Sequence, residues 1–168
     1  MKETPKQYTK RILSYQHGKN PLRIQRSTPK KIERLIKGVS RKKLTIRPVP
    51  QKWSVAEILA HLADTELVGG FRLRLVLGAN GTPIQAFDQD VWAREFKYGK
   101  RDPKKSLEAF RLLRKNNLSL LKTIPRLKWN NYGMHAERGK ETVTRIVQLY
   151  AGHDINHMRQ IEKIIGKK

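Results

Sequence analysis

Two histidines lie four residues apart in the segment GHDINHMRQIE, and a third lies in the segment WSVAEILAHLADTE. Both segments have the apolar periodicity of amphipathic helices, so His153 and His157 fall on one helix face, one turn apart. Histidines with this spacing can offer two nitrogens to one metal ion. His61 could complete a three-nitrogen face and leave coordination positions open to water or substrate, as catalytic metal sites do. The sequence therefore predicts a metal site formed by His61, His153 and His157.

The alternative for each histidine is an exposed polar residue or a hydrogen-bonded core residue. The predicted core face of the last helix favours the metal site, because burying neutral imidazoles without partners costs ~1–3 kcal/mol each. Ligand histidines commonly donate their other ring N–H to a carboxylate. Candidates for that role are Asp64, Asp154 and Glu57, whose alternatives are surface ion pairs and, for Glu57, a capping box. His135 could overhang the pocket from the loop before the last helix, whereas His17 is expected to be solvated.

Composition narrows the class of protein. The chain has 168 residues, of which 38% are hydrophobic, and contains no cysteine. It therefore has no disulfide framework, thiolate zinc finger or iron–sulfur cluster. No apolar run approaches the ~18 residues of a membrane span, and the N-terminus does not read as a signal peptide. These features predict one domain, residues 1–168, in the cytoplasm.

The net charge of +23 is unevenly distributed. Residues 1–50 hold 15 Lys and Arg against 2 Glu, a net charge of +13. Such a segment could attract nucleic acid, but the aromatic and glycine patterns of a nucleic-acid-binding module are absent. A solvated cationic surface is the favoured interpretation, and any nucleic-acid binding is expected to be weak and non-specific.

The apolar period is helical nearly everywhere, and no strand is predicted. A short helix over 5–16 precedes a second helix that begins at Thr28-Pro29 and ends near Gly38. The proline-rich segment 44–52 is expected to be irregular, and 126–140 is expected to be a loop. The fold class is therefore all-α, a four-helix bundle with an extra short N-terminal helix, and residues 1–45 form a basic segment on or before the bundle. The other three bundle helices are predicted at 54–78, 102–124 and 141–165.

The helix predicted over 54–78 begins with a capping box of Ser54 and Glu57. Gly69 and Gly70 lie inside it at a cost of ~1 kcal/mol each relative to alanine, which indicates close approach of a neighbouring helix or of the pocket. Its predicted core face comprises Ile58, His61, Leu62, Thr65, Val68, Phe71 and Leu75.

Four stretches of the chain, KWSVAEILAHLADTE, FDQDVWA, HAERGKETV and AGHDINHMRQIE, resemble the DinB-like superfamily of metalloenzymes. The ordered pair HLADTE and HDINHMRQIE, about 90 residues apart, is the most specific part of the resemblance. The match covers essentially the whole chain, and residues 1–45 match least. It implies a DinB-like four-helix bundle in which His61, His153 and His157 bind a divalent metal ion, often zinc or nickel, and it suggests a homodimer.

The resemblance also implies thiol chemistry. Characterised relatives transfer bacillithiol, mycothiol or similar thiols to electrophiles, or isomerise maleylpyruvate, and many relatives have no established activity. A metal ion would deprotonate a bound thiol for attack on an electrophilic small molecule. A hydrolase on the same site, a structural metal site and a non-enzymatic bundle that binds nucleic acid are the alternatives. Arg72 or Arg159 could hold a carboxylated thiol, although plain solvation of both is the favoured interpretation.

Overall fold

The computed structural model describes residues 3–166 as a mostly helical protein. In this part of the chain, no helix is long and apolar enough to cross a membrane. Two short 3₁₀ helices lie at Tyr98–Lys100 and Arg126–Asn130. The helices are α1 (Pro5–Gln16), α2 (Pro21–Ile36), α3 (Arg41–Thr45), α4 (Val55–Gly78), α5 (Gln89–Glu95), α6 (Pro103–Thr123) and α7 (Val143–Ile165), and the strands are β1 (Thr82–Ile84), β2 (Tyr132–His135) and β3 (Gly139–Thr142).

Four long helices form the predicted bundle. Helices α2 and α4 each pack against both α6 and α7, so α2 and α4 occupy opposite corners although only the short α3 lies between them in the chain. The N-terminal helix α1 packs along α7. Its close approach requires Gly152, because a Cβ atom there would collide with the backbone carbonyl of Ile12. The basic N-terminal segment is therefore an integral part of the packed structure.

Helix α2 begins eight residues earlier than the sequence predicts. Asn20 caps it by accepting a hydrogen bond from the Arg23 N–H, and Pro29, predicted as its first residue, lies in its interior. An internal proline leaves the carbonyl four residues earlier without its helical donor. The carbonyl of Gln25 instead accepts a hydrogen bond from the buried Arg114 Nη1 at 2.9 Å. A contact from another helix thus removes the penalty that would end the helix.

The prediction that the chain lacks strands was wrong. β1 pairs in parallel with β2, and β2 pairs antiparallel with β3. Each strand has only three or four residues, too few for a recognisable alternation. Gly133 permits the pairing because a Cβ atom there would collide with the Ile84 side chain. The predicted loop 126–140 therefore contains one turn of 3₁₀ helix and part of this small sheet.

The core face of α4 is mostly as predicted. Gly69 packs against Tyr150 of α7 and Gly70 against Asn117 of α6, which confirms close approach as the reason for both glycines. The prediction that Phe71 lies on the core face was wrong, because its side chain is 60% exposed whereas the adjacent Arg72 is buried. Positions 71 and 72 point about 100° apart on the helix, and the position of the neighbouring helices decides which of the two faces inward.

Candidate metal centre

Three buried histidines from two helices converge on one point. The Nε2 atom of His153 lies 3.0 Å from Nε2 of His61 and 3.0 Å from Nε2 of His157. Of the described residues, these three form the cluster able to hold a metal ion, with their ligand atoms within 4.8 Å of one another. The i, i+4 pair on α7 and the core-facing histidine of α4 thus meet as the sequence predicts.

Hydrogen bonds alone do not satisfy this arrangement. His157 Nδ1 lies 2.8 Å from the Gln160 side-chain oxygen, so Nδ1 carries the proton and Nε2 presents a lone pair. One proton on His153 Nε2 can satisfy the contact to one neighbour but not to both. Two ligand nitrogens ~2.1 Å from one ion and at right angles to each other lie about 3.0 Å apart. The donor set therefore fits a single divalent ion.

Burial keeps these imidazoles neutral. Desolvation holds the pKa values of His61 and His153 well below their ordinary range. The pKa of His157 is lowered to about 4 by desolvation, although its bond to Gln160 partly opposes the shift. The neutral imidazole is the form that binds metal ions, so at neutral pH no proton competes for these nitrogens.

The three carboxylates that the sequence nominates do not contact the histidines. Asp64 accepts hydrogen bonds from the Tyr98 hydroxyl at 2.8 Å and from Arg101 at 2.9 Å. Glu57 forms the predicted capping box with Ser54 and pairs with Arg47. The assignment of Asp64 and Glu57 to the histidine rings is therefore corrected, because cationic and phenolic donors from other segments hold these carboxylates.

Asp154 likewise has a different partner. It follows His153 directly, and successive residues on a helix point about 100° apart. Its carboxylate accepts two hydrogen bonds from Arg114, at 2.6 and 2.9 Å. Glu66 pairs with the same arginine at 2.8 Å. Asp154 therefore belongs to a buried ion cluster that joins α4, α6 and α7 beside the three histidines, and among the described residues Arg114, Glu66 and Asp154 supply its charges.

Sequence reasoning missed the residues that do contact the histidine rings. Gln160 lies three residues after His157, and this i, i+3 spacing was the available signal. The Thr65 hydroxyl lies 3.4 Å from Nδ1 and 3.3 Å from Nε2 of His61. The Trp53 ring packs against His61 with ring centroids 4.9 Å apart. These neighbours fix the orientation of the two rings without a carboxylate.

A cavity of about 640 Å³ lies beside the histidines. His61, Thr65 and His153 contribute to its wall, together with α1, the segment after β1 and the turn between β2 and β3. Arg72 and Tyr150 also line it. Arg72 is buried, which corrects the expectation of plain solvation, whereas the exposed Arg159 stacks on the Tyr15 ring.

His135 is buried near this cavity, but its chain neighbours Glu137 and Arg138 form the wall. Its Nδ1 accepts a hydrogen bond from the Glu137 N–H at 3.1 Å, and no described residue pairs with its Nε2. Desolvation and the positive charge of Arg138 lower its pKa to about 4. The predicted overhang of the pocket is thus supplied by the turn that follows His135.

Fold and site together define a four-helix-bundle protein with a three-histidine site suited to a divalent metal ion. The family model of the DinB superfamily matches residues 26–161. The chain belongs to the DinB superfamily.

Several curated relatives carry the name "Putative metal-dependent hydrolase". One from Oceanobacillus iheyensis is 26% identical over 116 residues, which cover 69% of this chain and 67% of that protein. One from Halalkalibacterium halodurans is 20% identical over 137 residues, covering 82% and 80%. YfiT of Bacillus subtilis is 28% identical over 115 residues, covering 67% and 64%.

A solved structure shares the fold. The structure of Bacillus subtilis YfiT, described as "a probable metal-dependent hydrolase with an unusual four-helix bundle topology", matches with a TM-score of 0.79 at 20% identity. The match covers 98% of this chain and 91% of that chain. The bundle predicted from the sequence is thereby confirmed.

Proposed function

We propose that this protein is a divalent-metal-dependent enzyme in which His61, His153 and His157 hold the ion. The observation that carries the proposal is the convergence of their three Nε2 atoms, two pairs of which are 3.0 Å apart, beside a cavity of about 640 Å³. Three imidazoles suit zinc or nickel and leave positions open for substrate. Such an ion, when bound, supplies Lewis acidity that lowers the pKa of a thiol or of water.

We infer that the nucleophile is a low-molecular-weight thiol and that the substrate is an electrophilic small molecule. Helical metallohydrolases with paired histidines place a glutamate beside them as general base. Among the described residues, no carboxylate is hydrogen-bonded to the three histidines. A thiol bound to a metal ion is deprotonated outright, whereas metal-bound water keeps a pKa of ~7, so a thiol depends less on such a base. The donor set of this chain is therefore better suited to a thiol.

Hydrolysis is the second candidate, and the names of the relatives favour it. Glu137 and Asp90 carry exposed carboxylates on the cavity wall. Either could accept a proton from water during hydrolysis. The two candidate reactions share the three histidines and differ in whether a thiol is consumed.

The test begins with elemental analysis of protein purified without a metal-affinity tag. The zinc- or nickel-loaded protein is then assayed with a fluorogenic electrophile and a panel of thiols, and separately with activated esters. Thiol-dependent turnover that is lost with the metal in His157→Ala is the expected result. The matched control is His17→Ala, which changes an exposed histidine at the end of α1. It should retain both the bound metal and the thiol-dependent turnover.

The outcomes separate the candidates. Ester turnover without any thiol would support the hydrolase and refute the transferase. Wild-type turnover by metal-free His157→Ala would refute the metal-dependent mechanism altogether.

A further inference from the structure

A buried arginine on the cavity wall lacks a counter-ion. The side chain of Arg72 is only 6% exposed, and no described carboxylate forms an ion pair with it. Its Nη2 donates to the Gln85 carbonyl at 2.7 Å, and its Cζ lies 5.6 Å from the centroid of the Phe87 ring. These contacts hold the guanidinium in place but leave its charge unneutralised. An unpaired buried charge is costly, so its presence in a cavity points to an anionic ligand.

A second polar group on the same wall has no acceptor for its proton. The Tyr150 hydroxyl is buried, no described residue accepts a hydrogen bond from it, and its polar neighbour is the Arg72 guanidinium, which can only donate. Burial raises its pKa to about 12, although the charge of Arg72 partly opposes the shift. The hydroxyl therefore keeps its proton at neutral pH and can donate it. Tyr150 lies one helical turn before His153 on α7.

We propose that Arg72 and Tyr150 bind a carboxylate group of the substrate, in the cavity that adjoins the three histidines. The assignment rests on the proposed function, because it takes the cavity to be the substrate site. One uncompensated guanidinium neutralises one negative charge. The exposed carboxylates of Asp88, Asp90 and Glu137 on the same wall repel multiply charged ligands such as phosphate. The ligand class is therefore a monocarboxylate.

The helix geometry sets the length of this substrate. Arg72 follows His61 by eleven residues on α4, which is about three turns and about 16 Å along the axis. Both residues thus face the same side of α4 and line the same cavity. The carboxylate should therefore lie several bonds away from the reacting atom.

The first test measures binding of hexanoate and of its uncharged analogue hexanamide by NMR titration, with and without zinc. Wild-type protein should bind hexanoate at least tenfold more tightly than hexanamide in both states, since hydrogen bonds to a charged group discriminate by about tenfold or more. Arg72→Met should abolish this preference. The control Arg94→Met, which removes the same charge from an exposed site on α5, should retain it.

Two further measurements exclude a purely structural role for Arg72. Removing an unpaired buried charge should leave the melting temperature of Arg72→Met equal to or above that of the wild type. Tyr150→Phe deletes a hydroxyl whose proton has no protein acceptor, so this variant should fold normally and weaken hexanoate binding severalfold. With zinc-loaded protein, the affinity for ω-mercaptocarboxylic acids should rise with chain length to a maximum and then fall, and Arg72→Met should flatten this profile.

A preference for hexanoate that persists in both Arg72→Met and Tyr150→Phe would overturn the assignment. A preference that exists only with zinc would place the carboxylate on the ion, overturning the assignment while sparing the proposed function. Tighter binding of inorganic phosphate than of hexanoate would overturn the monocarboxylate class. Loss of the preference in Arg72→Met without turnover of any thiol or ester would support the carboxylate site and count against the proposed function.

Discussion

Gln160 should tune the metal affinity of the three-histidine site in opposite directions when it is replaced by alanine or by glutamate. Its side-chain oxygen accepts the His157 Nδ1 proton at 2.8 Å, which fixes the tautomer and directs the Nε2 lone pair toward the site. Alanine removes this acceptor, so affinity for zinc should fall. Glutamate is a stronger acceptor and makes the imidazole more basic, so affinity should rise.

The magnitude follows from the exposure of Gln160. Loss of an outer hydrogen bond to a ligand histidine typically weakens metal binding by ~10–100-fold. Gln160 is exposed, so water can replace its oxygen, and a net hydrogen bond is worth only about 1 kcal/mol. We therefore expect Gln160→Ala to weaken zinc binding by about fivefold to tenfold. Gln160→Glu should tighten it by a similar factor at neutral pH.

The assay is competition for zinc with a chromophoric chelator at pH 7, with the folded fraction checked by circular dichroism. Gln148→Ala is the matched control, because Gln148 is half-buried on the same helix and makes no hydrogen bond to the three histidines. Equal affinities for the wild type and both Gln160 variants would show that the bond does not orient the ligand. Weaker binding in both variants would refute the assigned tautomer.

Further predictions concern stability and charge. Arg114→Met should lower the free energy of unfolding by ~3–5 kcal/mol in urea titrations, because it leaves two carboxylates buried without a cation; no loss would mean that the cluster is not needed for stability. Gly152→Ala should lower the free energy of unfolding by ~1–3 kcal/mol, because the new Cβ atom would collide with the Ile12 carbonyl. Gly78→Ala, whose Cβ atom would meet no atom within 4 Å, should be neutral or stabilising. Equal effects of the two substitutions would refute the packing of α1 on Gly152. Folding lowers the pKa of His135 from ~6.5 to about 4, so the contribution of His135 to the free energy of unfolding is fully present above pH ~6.5 and falls by about 2 kcal/mol by pH 5. His135→Gln should reduce the loss of stability between these pH values, measured by urea unfolding, by that amount. An unchanged pH dependence would contradict the lowered pKa. Any nucleic-acid binding should be weak and steeply salt-dependent, and a sequence-selective complex at physiological salt would contradict this.

Much of the site was predictable because helical periodicity is local. The spacing of His153 and His157 places them on one face wherever the helix packs, and the capping box of Ser54 and Glu57 needs only four residues. Because His61 lies on the apolar face of its own helix, its inward direction followed from the sequence as well. The bundle class and the three convergent histidines could therefore be predicted before any tertiary contact was known.

The partners of the charged groups were decided only by the tertiary structure. Asp64 and Asp154 lie near His61 and His153 in sequence, yet Arg101 and Arg114, from other segments, donate hydrogen bonds to them. The burial of Arg72 in place of Phe71 has the same origin, because the neighbouring segments decide which of two directions about 100° apart is covered.

Contacts of the backbone with residues far away in the chain could not be predicted from the sequence either. β1 and β2 are too short to show a period and form only because distant segments meet. Pro29 remains helical because Arg114, 85 residues later, donates a hydrogen bond to the Gln25 carbonyl, which the proline leaves without its helical donor. The sequence by itself determined the inward direction of the three histidines, since that depends on local periodicity. Packing determined which polar groups meet there, because electrostatic and steric partners depend on distance in space.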